Sequence, residues 1–395
     1  MQTSDFLIIG AGVIGLAIAR ELRQRHPDAR ITVLEKESTL AAHASGRNSG
    51  VLHAGFYYSA DSLKARFSQQ GNQEMTAFCR EQGLLINPCG KLVVARDESE
   101  LKGLGELLAR GLRNNVPVEM VDAAQAREIE PRIRTFERAL WSPTTASVDP
   151  VQVVTALAAE VSRQGVDIRT GTAYLGRKGQ TLQTSAGDHQ AGYVINAAGL
   201  YADRIARDFG FSSHYRVLPF KGLYLYSSEP PGSLRTNVYP VPDLRNPFLG
   251  VHFTVTASGL TKIGPTAIPA FWREQYNGWE NFSGSELTEI LWRQAGLFLA
   301  SGFDFKRLAW EEIRKYYRPI MVGFAEKLVE GVSAGQYRQW GRPGIRAQLL
   351  DIRERKLEMD FVFERDEQSL HILNAVSPAF TCAFPFARHI CDQVE

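Results

Sequence analysis

The first residues whose types and spacing could do chemistry are Gly10-Ala11-Gly12-Val13-Ile14-Gly15, set between an apolar run (5–10) and a segment of helical composition (13–25). Gly10 permits a tight turn, Gly12 lets the backbone approach a pyrophosphate, and Gly15 lets helix and strand pack closely. The helix start would offer free N–H groups and the positive end of its dipole to that pyrophosphate. Glu35 closes the next strand 20 residues beyond Gly15. There a carboxylate meets a ribose 2′-hydroxyl and repels a 2′-phosphate, so strand, helix and acid together predict a dinucleotide other than NADP. Only one such fingerprint occurs, which disfavours two dinucleotides held by two such units. The apolar stretch 194–198 followed by Gly199 and Asp203 is the extra piece a flavoprotein uses near the FAD pyrophosphate. The loop 44–55 is rich in small residues and donors, with Ser45, Asn48, Ser49 and Gly50, and can wrap that cofactor.

The elements that must position these groups can be read coarsely. Residues 5–10 and 31–34 are short apolar strands of the buried parallel kind, joined by the helix 13–25. Helices are expected over 61–82 and 97–115. A further helix starts at Asp149-Pro150, where Asp accepts free N–H groups and Pro at the first helical position loses no bond. Strands follow at 166–169 and 194–198. From residue 215 the texture becomes β-rich (217–226, 247–255, 260–264), with helices over 284–301 and 309–329, a last strand at 370–374 and a helix after Pro378. The pieces predict an α/β fold: a Rossmann-like FAD-binding domain of residues 1–85, 145–214 and 336–395. Into it is inserted a substrate domain of mixed β-sheet plus helices, residues 86–144 and 215–335.

Several longer blocks carry a resemblance. They include 48–58 (Asn-Ser-Gly-Val-Leu-His-Ala-Gly-Phe-Tyr-Tyr), Ser62-Leu63-Lys64-Ala65, Cys89-Gly90-Lys91, Tyr239-Pro240-Val241-Pro242-Asp243 and 247–252 (Pro-Phe-Leu-Gly-Val-His). Gly264-Pro265, 344–348 (Gly-Ile-Arg-Ala-Gln) and 374–379 (Asn-Ala-Val-Ser-Pro-Ala) complete them. In these, over almost its full length, the chain resembles the D-amino-acid-oxidase-like FAD oxidoreductases, and most closely the L-2-hydroxyglutarate oxidase/dehydrogenase family. The resemblance implies FAD-dependent oxidation of a 2-hydroxy acid, L-2-hydroxyglutarate to 2-oxoglutarate. It makes His53 and His252, the two histidines inside such blocks, the catalytic candidates, without deciding which is the base. Imidazole suits that task because its ordinary pKa lies near working pH. Arg346 is implied for the α-carboxylate, with its planar fork, and Lys221 and Tyr239 for the distal end. Lys36, Ala173 and Ser377-Pro378-Ala379 complete the expected cofactor contacts. The FAD is expected to be non-covalent, with a link through His53 as the alternative known in some relatives.

Three departures bear on the substrate. Lys221 and Leu223 stand where the family block reads Arg and Glu. The stretch 349–357 replaces a small Asp-Gly-Lys turn, and Val376 replaces a proline. Another 2-hydroxy acid, an amino acid or glycerol 3-phosphate is therefore the alternative substrate. A non-catalytic flavin-binding scaffold is the alternative of another class.

Composition excludes more than it proposes. With 395 residues, 44% hydrophobic and 22% charged, the chain is long enough for two domains and is not disordered. A net charge of +2 lacks a nucleic-acid footprint. No metal-ligand spacing appears among the four cysteines. The start carries no export signal and no apolar run is long enough to span a bilayer, so a cytoplasmic protein is expected. The aromatics are unevenly spread: four of the six tryptophans (Trp272, Trp279, Trp292, Trp310) fall within 39 residues. Basic residues, Lys306, Arg307, Arg314, Lys315 and Arg318, are interleaved with the later ones. Residues 271–318 thus read either as the core of the inserted domain or as a peripheral membrane face. Such a face would bring the protein to the inner surface of a membrane, where a quinone, or else oxygen, would take the electrons.

Overall fold

The computed structural model of the protein describes residues 2–243, 249–300 and 305–394. Its first sheet is built around strand Gln2–Ile9, which pairs in parallel with Ile31–Leu34 and with Gly187–Asn196. Asp167–Arg169 and Ser369–Asn374 extend the parallel core on either side. Helices Val13–Arg25, Pro150–Arg163 and Ala383–Cys391 contribute Leu16, Ile18, Val154, Leu157 and Phe386 to its largest apolar cluster. Leu7 and Ile9 pack into another cluster with Ile205 of helix Ala202–Asp208. Both faces are covered, which is why these strands read as unbroken apolar runs rather than as alternation. The Asp149 side chain caps helix Pro150–Arg163 by accepting from Val151 N at 2.9 Å, with Pro150 opening the helix as expected.

The second sheet has eight strands, in the order Tyr337–Trp340, Leu225–Ser227, Thr261–Gly264, His252–Val255, Asn237–Pro240, Lys91–Val94, Arg138–Ser142 and Glu119–Asp122. Its period-2 alternation is clean. Leu92, Val94, Val238, Phe253, Ile263 and Leu225 enter an apolar cluster with Met321, Val322 and Ala325 of helix Arg318–Glu326. Pairing registers put Lys91, Tyr239, His252, Thr254 and Lys262 together on the opposite face. A smaller antiparallel sheet joins Tyr215–Gly222 to Gly344–Asp351, with Phe220 directly opposite Arg346.

Two expectations are corrected. The single strand over 217–226 is two strands, because the chain passes from one sheet to the other at Leu223-Tyr224. The helix over 309–329 is two helices, Phe305–Arg314 and Arg318–Glu326, with Pro319 in the first turn of the second. Around residue 336 the chain stays with the second and third sheets. Tyr337–Trp340 and Gly344–Asp351 pair with Leu225–Ser227 and Tyr215–Gly222, and the chain rejoins the first sheet only at Val362–Arg365. Part of the predicted strand 247–255 lies outside the described residues, including Pro247 and Phe248.

Candidate active site

The fingerprint forms a cradle that side chains would fill. Gly10 has φ +109°, and a Cβ there would sit 2.6 Å from the Ala197 carbonyl oxygen. A Cβ on Gly15 would lie 2.0 Å from the carbonyl oxygen of Gly10, and one on Gly12 would meet Ser45 Oγ at 2.9 Å. Gly12 caps helix Val13–Arg25 without any side-chain bond of its own. The nearby donors are held in place by Ser45 Oγ, which accepts from Val13 N at 3.0 Å, and by Glu35, which accepts from Ala11 N at 3.2 Å. Glu35, Lys36, Ala173 and Gly199 line an elongated cavity of about 590 Å3 there. Through Gly12, Ser45, Ala197 and Gly199 it runs on into a second of about 300 Å3. A long slot that starts at a helix N-terminus, with a carboxylate at its far strand, fits the two halves of FAD.

The other expected cofactor residues divide by role. Asn48, Ser49 and Ser377-Pro378-Ala379 line the second cavity. Gly15 and Gly50 line neither and act through the backbone: Gly50 has φ +76°, with the Val148 carbonyl oxygen 2.2 Å from where a Cβ would be. Lys36 lines the first cavity with its charge already matched, by Glu37 and by Glu274 at 2.7 Å.

The second cavity holds the two histidines. His252 opens strand His252–Val255 and stacks on Tyr239, ring centres 3.7 Å apart. Its Nδ1 lies 2.9 Å from the Gly250 carbonyl oxygen. A carbonyl can only accept, so Nδ1 carries the proton and Nε2 is left as a bare acceptor. Burial, reinforced by the Lys91 charge, pushes His252 down to about 3, so it is neutral at ordinary pH. His53 follows strand Val51–Leu52, its backbone N–H donating to Thr381 Oγ1 at 3.0 Å. Burial, then the charges of Lys91 and His252, hold its imidazole well below the usual histidine range.

Buried cations stand near this pair, the charge of Lys91 acting on both histidines and that of Lys262 on His252. Arg346 lines the cavity, its Nε donating to Gln348 at 3.1 Å, and burial lowers it to about 10. Lys64 and Lys91 are both lowered to about 7 by burial, and Lys262 to about 8. Among the described residues no carboxylate forms an ion pair with any of these three lysines. Glu312, which does line the cavity, is committed to Lys315 and to Ala267 N. Burying a charge without a counter-ion costs several kcal/mol, so the three lysines favour an anion close by.

Of the residues expected at the site, His53, His252, Arg346 and Tyr239 all line this one cavity. Lys221 is not brought there. It stands opposite Ile345, one residue out of phase with the Phe220–Arg346 pair, and strand alternation turns it to the other face. Lys91 and Lys262 were missed, and so was Lys64, which lies on a helix yet is only 4% exposed. The available signal was a lysine set inside an apolar strand, as in Lys91-Leu92-Val93-Val94.

The comparisons agree with this geometry. The pattern of the FAD dependent oxidoreductase family matches residues 5–393. The chain is 35% identical to human mitochondrial L-2-hydroxyglutarate dehydrogenase, over 99% of its own length and 88% of that protein. It is 34% identical to L-2-hydroxyglutarate dehydrogenase of Escherichia coli K12, over 99% and 93%. In fold it resembles the L-alpha-glycerophosphate oxidase of Mycoplasma pneumoniae (TM-score 0.77, 23% identity, covering 100% of this chain and 95% of that one). It is also similar to glycine oxidase of Geobacillus kaustophilus (TM-score 0.74, 20% identity, covering 100% and 95%). With its glycine cradle, its two-part slot and its match along nearly the whole sequence, the chain belongs to the FAD dependent oxidoreductase family.

Proposed function

We propose that this enzyme oxidises L-2-hydroxyglutarate to 2-oxoglutarate. The observation that carries the reading is Arg346 in the cavity lining, backed by the buried lysines Lys64, Lys91 and Lys262 behind that lining, beside a histidine whose Nδ1 bond leaves Nε2 to accept. A dicarboxylate would meet the surplus charge, whereas a neutral or zwitterionic substrate would leave most of it unmatched. The relatives that share a third of the sequence are named for this substrate.

Arg346 binds the α-carboxylate through its fork. His252 Nε2 takes the proton of the C2 hydroxyl as the C–O bond becomes a carbonyl. His53 closes the cavity from the cofactor side, and Tyr239 holds the His252 ring flat. When bound, FAD supplies the acceptor for the hydride that leaves C2. Anaerobic mixing with L-2-hydroxyglutarate is expected to bleach the flavin's visible absorbance. Bleaching by glycerol 3-phosphate or an amino acid in its place would replace this substrate assignment. No bleaching by any of them would make the chain a scaffold.

For the acceptor, the reading rests on residues 271–318. No helix among the described residues is long and apolar enough to cross a membrane. Trp272 and Tyr276 are buried, as core residues should be, and Lys315 is buried with Glu312. Trp279, Trp292 and Trp310 are 77%, 75% and 64% exposed, and Leu291, Ile313, Tyr316 and Tyr317 are also exposed. Trp292 and Ile313 lie on helices Gly284–Ala300 and Phe305–Arg314, which touch one another. The side chains of Lys306 and Arg307 lie outside the described residues. Exposed indoles beside basic residues fit a headgroup layer, which supports peripheral membrane contact and a quinone as acceptor, with oxygen as the other outcome. Sedimentation with anionic vesicles at low salt is expected, and changing Trp292 and Trp310 to Ser is expected to abolish it. Loss of neither solubility nor signal in that assay would leave oxygen as the acceptor to test.

A further inference from the structure

Lys91 departs from ordinary lysine behaviour by its complete burial. It opens strand Lys91–Val94 and is fully buried, among the largest side chains with no exposure at all. Its Nζ lies 4.2 Å from the ring centre of Tyr239, 5.2 Å from that of Tyr57 and 5.7 Å from that of Phe56. Three aromatic faces hold the ammonium in place without neutralising it. Its only hydrogen-bonding partner among the described residues is His53, whose Nδ1 lies 3.5 Å away. The other titratable groups facing it are the Cys89 thiol, pushed up by burial, the phenols of Tyr57 and Tyr239, and His252.

We propose that Lys91 is a positioning residue that fixes the tautomer of His53, so that the two histidines present the cavity with one N–H donor and one bare acceptor. An ammonium has three donors and no lone pair, so the imidazole nitrogen facing it has to be the acceptor. His53 Nδ1 is therefore unprotonated, and its single proton sits on Nε2. His252 is fixed the opposite way by the Gly250 carbonyl oxygen. The pair is complementary: His252 Nε2 removes a proton, while His53 Nε2–H donates to an acceptor oxygen brought into the cavity. A lysine that had lost its own proton gains a lone pair that can accept from Nδ1–H, so the tautomer is fixed while Lys91 is charged, below about pH 7, and the spectra are read there. The placement of both histidines at the reacting end rests on the functional reading above, but the tautomer does not.

The test reads the ring nitrogens directly. In FAD-loaded enzyme labelled with 15N-histidine, long-range proton–nitrogen correlation spectra distinguish the two tautomers, and His53 is assigned by its loss in His53→Gln. The expected result is a His53 protonated at Nε2 in the native enzyme. In Lys91→Met that preference is expected to give way to a mixture or to the Nδ1–H form at unchanged flavin content. With the reducing substrate, kcat/KM is expected to fall about tenfold, the worth of one lost hydrogen bond to a charged group. A native His53 protonated at Nδ1 overturns the proposal, and so does a His53 spectrum unaltered by Lys91→Met. If Lys91→Met fails to fold, the native spectrum alone still decides. Neither readout of the tautomer depends on which hydroxy acid the enzyme takes, so a wrong substrate and a wrong role for Lys91 give different results.

Discussion

Replacing His252 with alanine is expected to leave FAD bound and to slow flavin reduction by L-2-hydroxyglutarate by about 10²–10⁴-fold, the usual worth of a positioned general base. The FAD cradle is made by residues 10–15, 35 and 45, far along the chain from 252, and His252 makes no hydrogen bond to any of them. What the substitution removes is a cavity-lining ring nitrogen left to accept by a fixed bond at the other nitrogen of its ring. An objection is that a base lowered to about 3 is weak. That value belongs to the substrate-free site, where burial and the Lys91 charge both oppose protonation. Two incoming carboxylates reverse the second term, because a nearby negative charge favours the imidazolium. The base is thus strengthened by the substrate it serves, and an empty cavity keeps it neutral. Single-turnover flavin reduction, with flavin content measured in parallel, checks the expectation. A His252→Ala enzyme that is reduced at the native rate would remove this residue from the chemistry, and one that loses FAD would make it structural.

Much of the cofactor half was legible in the sequence because its signals are local. The cradle needs three glycines within six residues, and the cap at Asp149-Pro150 needs two adjacent ones. The substrate half was legible only in part, for a physical reason. Its cavity is roofed by one face of a sheet whose strands come from 91–94, 237–240, 252–255 and 261–264. Nothing in the spacing of those segments says that Lys91 stands beside Asn237, or that Lys262 pairs with Thr254. Strand Gly344–Asp351 was not anticipated either. Its Arg346-Ala347-Gln348 interior lacks the apolar alternation of a half-buried strand, since Arg346 and Gln348 are polar residues turned inward. The same inversion hid Lys64: a lysine on a helix is ordinarily solvated, and only the fold puts it under Tyr58 and Phe361.

Exchanging Arg346 for methionine is expected to reduce kcat/KM for L-2-hydroxyglutarate by about 100-fold or more, since two charge-assisted hydrogen bonds are worth about 3 kcal/mol together. Lysine at this position is expected to restore only part of the loss, because it offers a point charge in place of a planar fork. The pH dependence separates Arg346 from the lysines around it. Arg346, lowered only to about 10, stays charged through neutral pH, whereas Lys64 and Lys91 are poised near 7 and Lys262 near 8. A bound carboxylate stabilises the charged forms and raises those lysine pKa values, so binding takes up protons. Affinity is therefore greatest below about pH 7 and falls as the pH rises from there towards the raised values of the complex, by up to about tenfold per pH unit for each lysine involved. KM measured from about pH 6 to about pH 9 is expected to climb in the native enzyme. In Arg346→Met it is expected to climb from a higher starting point and at a somewhat higher pH, because the arginine does not titrate in that window but its charge helps to lower Lys64. A flat profile in both would mean that the three lysines do not meet the substrate, and that the surplus charge of the cavity serves something other than a second carboxylate.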